Sequence, residues 1–159
     1  MSECRIEAWT PEHPRWTELV ELLRAEGQLR WVLPDERELR PATHILTAVV
    51  GEDLAGFVAF IVQEIGPPDN CPALGLTEAK VIAFGVRAGN RGRGIGTSLQ
   101  RRVLQVAADL GCYQVRSVTD VWRTENCRVK IGLGFGAHPT VRRVDGEDRP
   151  AYVFVKALD

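Results

Sequence analysis

Gly92, Gly94 and Gly96 alternate with Arg91, Arg93 and Ile95, and Thr97 follows. Glycines at this spacing let a backbone turn tightly and approach a ligand closely. Where a helix starts, its first N–H groups lack helical partners and its dipole favours negative charge, so such a segment can cradle a phosphate. Arg91 and Arg93 place side-chain charge beside it. Three phosphate-loop patterns can be set against the segment. A Walker A loop finds Gly89 and Gly94 at the right separation, but Ile95 stands where its lysine is required. The dinucleotide pattern G-x-G-x-x-G, counted from Gly92, needs its third glycine at Thr97, and no acidic ribose-binding residue follows at a convincing place. The pattern R-x-x-G-x-G is met in full by Arg91 to Gly96. A ligand-free strand-to-helix connection needs at most one glycine and gains nothing from arginines there.

The R-x-x-G-x-G stretch follows an apolar, β-branched run ending at Val86 and opens an amphipathic helical pattern. In that setting it resembles the pyrophosphate-binding motif of the GCN5-related N-acetyltransferases (GNAT). The resemblance implies an α/β (α+β) fold: a mixed, mostly antiparallel central sheet flanked by helices, with a V-shaped split between the central strands. It implies acetyl-coenzyme A as co-substrate, with pyrophosphate at Arg91, Gly92, Arg93, Gly94, Ile95, Gly96 and Thr97. The pantetheine would pair with the backbone of Phe84, Gly85 and Val86, and the Val86 amide would face the acetyl carbonyl as oxyanion donor. Phe84 and Val86 also suit core packing, which does not conflict, because these ligand contacts use backbone groups. Asn126 lies where relatives contact coenzyme A, although a stricter alignment puts Arg123 at the usual asparagine position. The implied activity is transfer of an acetyl group to an amine of a small molecule, a protein N-terminus or a lysine, by direct attack in a ternary complex. The alternative is a non-catalytic acyl-coenzyme A binding or sensing module of the same fold.

Acetyl transfer requires that the attacking amine lose a proton and lets the leaving thiolate gain one. Relatives often carry an acidic base on the central strand, and the family spacing from Arg91 reaches Lys80. Glu78 shares its strand face and is the candidate base, directly or through water, against a plain reading as a solvated strand entrance. Glu64 is a second candidate. Many relatives place a tyrosine before a Gly-Phe pair as proton donor. Here the pair is Gly134-Phe135 and the matching residue is Lys130, expected to be an exposed helix lysine. His13, His44 and His138 lack ligand-like spacing and read as structural or surface residues. Trp9 and Trp16 suit the core, and Trp31 and Trp122 could line an acceptor pocket.

The elements that must position these groups follow from periodicity. Cys4 to Trp9 reads as a strand, Pro11 to Gly27 contains a helix, and Arg30 to Pro41 is a loop or short helix. Thr43 to Val50 is a strand, Gly51 to Gly56 a turn, and Gly56 to Ile65 the returning strand. Gly66 to Leu76 is a loop rich in proline and glycine. Glu78 to Arg87 is the central strand. Gly94 to Leu110 is a helix with an apolar stripe at Ile95, Leu99, Val103, Val106 and Leu110, leaving Gln100 on the polar side. Tyr113 to Val121 is a strand and Arg123 to Leu133 a short helix. Phe135 to Val144 and Pro150 to Ala157 form a hairpin around Asp145 to Asp148. The order is β-α-(α)-β-β-β-α-β-α-β-β, which also resembles the GNAT order.

The chain has 159 residues, enough for one domain with a real core, expected over 1–159. Its net charge of −1 argues for neither a nucleic-acid nor a membrane surface. The expected partners are acetyl-coenzyme A and an amine acceptor, with a homodimer as an option. Cys4, Cys71, Cys112 and Cys127 are scattered, so neither a metal site nor a disulfide framework is expected. Free thiols and the absence of an apolar leader fit a cytoplasmic protein.

Overall fold

A computed structural model describes residues 3–66 and 75–159. Most of the expected Gly66 to Leu76 loop, with Cys71, lies outside the described residues. The elements are β1 (Cys4–Ala8), α1 (Trp16–Ala25), α2 (Leu29–Val32), β2 (Thr43–Val50), β3 (Asp53–Glu64), β4 (Thr77–Val86), α3 (Ile95–Asp109), β5 (Gln114–Asp120), α4 (Thr124–Gly132), β6 (Gly136–Val144) and β7 (Glu147–Ala157). That is the order anticipated from periodicity, with a short 3-10 turn at Ala88–Asn90 added before α3. The strands form a seven-stranded sheet in the order β1-β2-β3-β4-β5-β7-β6. The pairs β1–β2, β2–β3, β5–β7 and β6–β7 are antiparallel. The fold is thus a mixed α/β arrangement with a mostly antiparallel sheet.

The chain divides into two compact units, Met1–Ile61 with Val81–Val103, and Val62–Lys80 with Leu104–Asp159. In the first unit, α1 and α2 lay Leu19, Leu22, Leu23, Leu29 and Val32 onto Ile45, Val49, Phe57, Ala59 and Ala83. Helix α1 stops through backbone bonds from Gly27 N–H to Arg24 O and from Gln28 N–H to Leu23 O. Gly27 has a φ of +69°, the left-handed conformation that lets this C-terminal motif close. Of the two readings of Arg30 to Pro41, loop or short helix, the short helix is present at its start as the four-residue α2.

Two expected turns are shorter than the sequence pattern indicated. The first hairpin turns at Gly51 and Glu52, and β3 starts at Asp53, so Gly56 lies inside the strand rather than at its start. Gly51 takes a φ of +62°, and the following Leu54 and Ala55 are drawn into the core. The last hairpin turns at Asp145 and Gly146, with φ of +51° and +79°, the two positive angles of a tight two-residue hairpin turn. Strand β7 thereby gains Glu147 to Arg149.

Helix α3 also departs from its expected stripe. Ile95, Leu99, Val103 and Ala107 are buried, whereas Leu110 is exposed. Gln100, expected on the polar side, is fully buried, and neither of its amide atoms has a hydrogen-bond partner within the protein. The buried set runs at i, i+4 spacing, so the helix turns its face slightly away from Val106 and toward Gln100.

Candidate active site

Strand β4 ends in the first unit at Phe84, Gly85 and Val86. The Arg87 N–H donates to Ala55 O of β3 at 2.8 Å. By strand alternation Gly85 faces β3 too, and its carbonyl oxygen would lie 2.9 Å from a Cβ placed on Gly56. The backbone groups of Phe84 and Val86 therefore point to the other edge. At the start of the same strand, Thr77 O accepts from Tyr113 N–H on the β5 side.

The phosphate-capable segment opens α3 as expected. Ser98 N–H donates to Gly94 O at 3.0 Å, so Gly94 stands at the N-cap position. The N–H groups of Gly94, Ile95, Gly96 and Thr97 then have no carbonyl one helical turn earlier to donate to. Gly92 and Gly94 take φ of +79° and +77°, and a Cβ on either would meet nothing within 4 Å. These two are needed for conformation, and the space above them is open. Gly96 is needed for packing, because its Cβ would lie 3.1 Å from the ring of Phe84. Arg91 folds back to donate from Nε to Val86 O at 3.1 Å, and Arg91 and Arg93 are both exposed.

Glu78, the candidate base, lies in the second unit and is buried rather than at a solvated strand entrance. Its carboxylate accepts from Gln63 Nε2 at 2.7 Å, Gln114 Nε2 at 2.9 Å and Arg116 Nε at 3.0 and 3.2 Å. Arg116 also holds it through a second nitrogen at 3.0 Å. Burial pushes the carboxyl upward, but the bonds from Gln63, Gln114 and Arg116 outweigh it and hold the pKa below the ordinary range. A carboxylate so engaged is a poor proton acceptor, and its evident work is to join β3, β4 and β5 within this unit. Glu64, the second candidate, is exposed at the end of β3.

Lys130 corrects the expectation of an exposed lysine, being 1% exposed on α4. Its Nζ donates to Thr119 Oγ1 at 3.1 Å and Asn126 Oδ1 at 2.5 Å, and stands 5.6 Å from the Phe154 ring centre. Helix α4 sets its C-terminal turn against the face of β5 and β7 that carries Thr119 and Phe154, and this swallows the lysine. Burial lowers its pKa to about 7; nearby Arg123 pushes the same way, and Cys127 opposes. Asn126 is half-buried and commits its carbonyl oxygen to Lys130, leaving its Nδ2 as the group able to meet a ligand.

The remaining candidates fall into plainer roles. His13 stacks on Trp9 and accepts from Arg15 N–H through Nδ1, and His44 stacks on Phe60, so both are structural. His138 is exposed. Arg30 lies over Trp31, and Arg123 over Trp122, whose ring is exposed. Gln28 was missed by sequence reasoning. Its side chain takes both backbone groups of Phe84, and its place just after the α1-terminating glycine was the one available signal.

A central strand that runs through a glycine loop into an unsatisfied helix N-terminus, in a mixed sheet of this order, defines an acetyltransferase-type α/β fold. A sequence profile of the Acetyltransferase (GNAT) family matches residues 5–135. The chain belongs to that family. Comparison with curated protein sequences gives no match. Among solved structures, Arabidopsis thaliana NAA60 in complex with acetyl-CoA is 17% identical, with a TM-score of 0.80 over 98% of each chain. The same plant protein with a bisubstrate analogue is 18% identical, with a TM-score of 0.76 over 99% of this chain and 100% of that one. An acetyltransferase of the GNAT family from Streptococcus pneumoniae is 13% identical, with a TM-score of 0.72 over 99% and 100%. At such identities the likeness is one of fold.

Proposed function

We propose that this chain, acting as one domain over 1–159, is an N-acetyltransferase that moves an acetyl group from acetyl-coenzyme A to an amine by direct attack in a ternary complex. One observation carries the reading. The Arg91 to Gly96 segment opens α3 with free helical N–H groups, two left-handed glycines and open space above them. A pyrophosphate fits that electrostatic cradle. The thioester end of the cofactor would then run back along the Val86 and Phe84 edge of β4. The Val86 N–H would stabilise the oxyanion as the amine nitrogen bonds to the carbonyl carbon and the carbon–sulfur bond breaks.

The proton steps follow from the environments of two residues. Glu78 is too firmly held to be the base, so the acceptor loses its proton to water or enters as the free amine. Lys130, at the family's tyrosine position, has the property a donor to the leaving thiolate requires, a proton exchangeable near neutral pH. The acceptor is an amine of a small molecule, a protein N-terminus or a lysine.

A non-catalytic acyl-coenzyme A binding module is the second reading, favoured by one observation, the absence of a free carboxylate at Lys80 or Glu78. Thiol release across a panel of amines, with mass detection of products, separates the two. Release with at least one amine is expected, and tight cofactor binding without any transfer selects the module. The loop assignment is tested by Gly94→Val, which strains a φ of +77° and fills the space above the loop. Acetyl-coenzyme A affinity should fall at least about tenfold by calorimetry, the scale of one lost charge-assisted bond. Unchanged affinity in a folded variant would remove the pyrophosphate from this loop.

A further inference from the structure

Gln28 makes a contact that the catalytic reading does not use. It follows Gly27 at the C-terminus of α1 and is 6% exposed. Its Nε2 donates to Phe84 O at 3.0 Å, and its Oε1 accepts from Phe84 N–H at 2.9 Å. One carboxamide thus satisfies both backbone groups of one strand residue, as a residue of an added strand would. The edge it occupies is the one turned away from β3, shared by Val86. The position is tightly specified. The left-handed Gly27 sets where Gln28 leaves the helix, and a Cβ on Gly85 would come within 3.5 Å of Nε2.

We propose that Gln28 is a built-in place-holder for a cofactor amide: its carboxamide occupies the Phe84 edge in the free protein and is displaced when an extended acyl-pantetheine pairs there. The inference rests on the acetyl-coenzyme A reading given above. Its logic is the valence of the strand edge. Phe84 has one N–H, and that N–H is already committed to an amide oxygen at good distance. A ligand amide that takes it must release Gln28. The exchange is amide for amide, so the edge itself gains or loses little. What Gln28 does is keep the half-buried Phe84 edge satisfied while the site is empty, at the cost of competing with the ligand.

Three measurements on the full chain test this. Gln28→Met keeps the volume and removes both hydrogen bonds. The free variant should melt several degrees below the unmutated protein, while the two should melt together in saturating acetyl-coenzyme A, because the complex no longer uses the missing bonds. By linkage, the variant should bind acetyl-coenzyme A about fivefold tighter or more. Adenosine 3′,5′-bisphosphate, which lacks the pantetheine amides, should bind both proteins equally. Equal destabilisation of free and bound protein with unchanged affinity would make Gln28 a static brace, and weaker binding would make it a ligand contact; either overturns the place-holder. The third measurement needs no variant: in the unmutated protein, the Gln28 side-chain NH2 signals should shift toward solvent-like exchange on adding acetyl-coenzyme A. Signals that stay in place would overturn the proposal even if Gln28→Met fails to fold. An unmutated protein that binds no acetyl-coenzyme A at all would sink the cofactor reading and this inference with it, a result distinct from binding that ignores Gln28.

Discussion

A buried amine titrating near neutrality is a liability that Lys130 carries on every folding event. Its pKa is about 7 in the folded chain against an ordinary 10.5. Between those values the unfolded chain binds more protons than the folded one, so stability rises with pH across that window. Below about pH 7 both states are protonated and the full penalty of burying the charge is felt. Urea unfolding should therefore show a gain of up to about 2 kcal/mol from pH 7 to pH 9, and Lys130→Met should abolish most of it. Burial pushes the Cys127 thiol up and Lys130 pulls it down, so the comparison is made in a Cys127→Ser background, where the difference isolates the lysine. The proposed donor role adds a second readout: turnover of Lys130→Met should fall by about 10²-fold with cofactor affinity kept. A loss within threefold would leave Lys130 as a structural amine held by Thr119 and Asn126.

The glycine loop and the strand before it act as one element, because their glycines serve different ends. Gly92 faces open space and needs its left-handed φ, whereas Gly96 needs room for the Phe84 ring. Gly92→Ala should cost about 1 kcal/mol through backbone strain. Gly96→Ala presses a methyl onto the ring at 3.1 Å and should cost about 1–3 kcal/mol as overpacking, shifting the end of β4 that carries Phe84 and Val86. Denaturant titration gives both numbers. The discriminating observation is intrinsic: replacing Phe84 with leucine should relieve Gly96→Ala and leave Gly92→Ala untouched, as expected for neighbours against independent sites. Equal rescue of both would mean that the two glycines share one role.

At the scale of the whole molecule, membership of the acetyltransferase family and a likeness of fold to NAA60 leave the acceptor open, since a fold carries many substrates. The cofactor, by contrast, has a whole-molecule consequence. A ligand that binds only the folded chain stabilises it by mass action, about 2.7 kcal/mol at a hundred times Kd. Acetyl-coenzyme A should raise the melting temperature in a concentration-dependent way, and desulfo-coenzyme A should do nearly the same if pyrophosphate and pantetheine carry the affinity. No shift with either, at concentrations where calorimetry detects heat, would mean binding to unfolded chain or to a minor species.

Much of this was present in the sequence, because it is encoded over a few residues. Glycine at 92, 94 and 96, arginine at 91, and the change from β-branched alternation to helical spacing at Ile95 are local signals, and local signals specify strand, loop and helix start. They were enough for the element order and for the glycine loop that opens α3. Turn lengths at Gly51 and Asp145 were not legible because positive φ angles, one at Gly51 and two at Asp145 and Gly146, close these hairpins, and neighbouring strands draw Leu54 and Arg149 into pairing. The fates of Glu78, Lys130, Gln100 and Gln28 were not legible. Each is polar and would be read as solvated. Three of them are met by chain that lies away in sequence: Gln114 and Arg116 around Glu78, Thr119 and Phe154 around Lys130, Phe84 against Gln28. Burial converts a polar side chain from a surface detail into a paired charge, a low-pKa amine or a strand cap, and only the tertiary packing decides which of these it becomes.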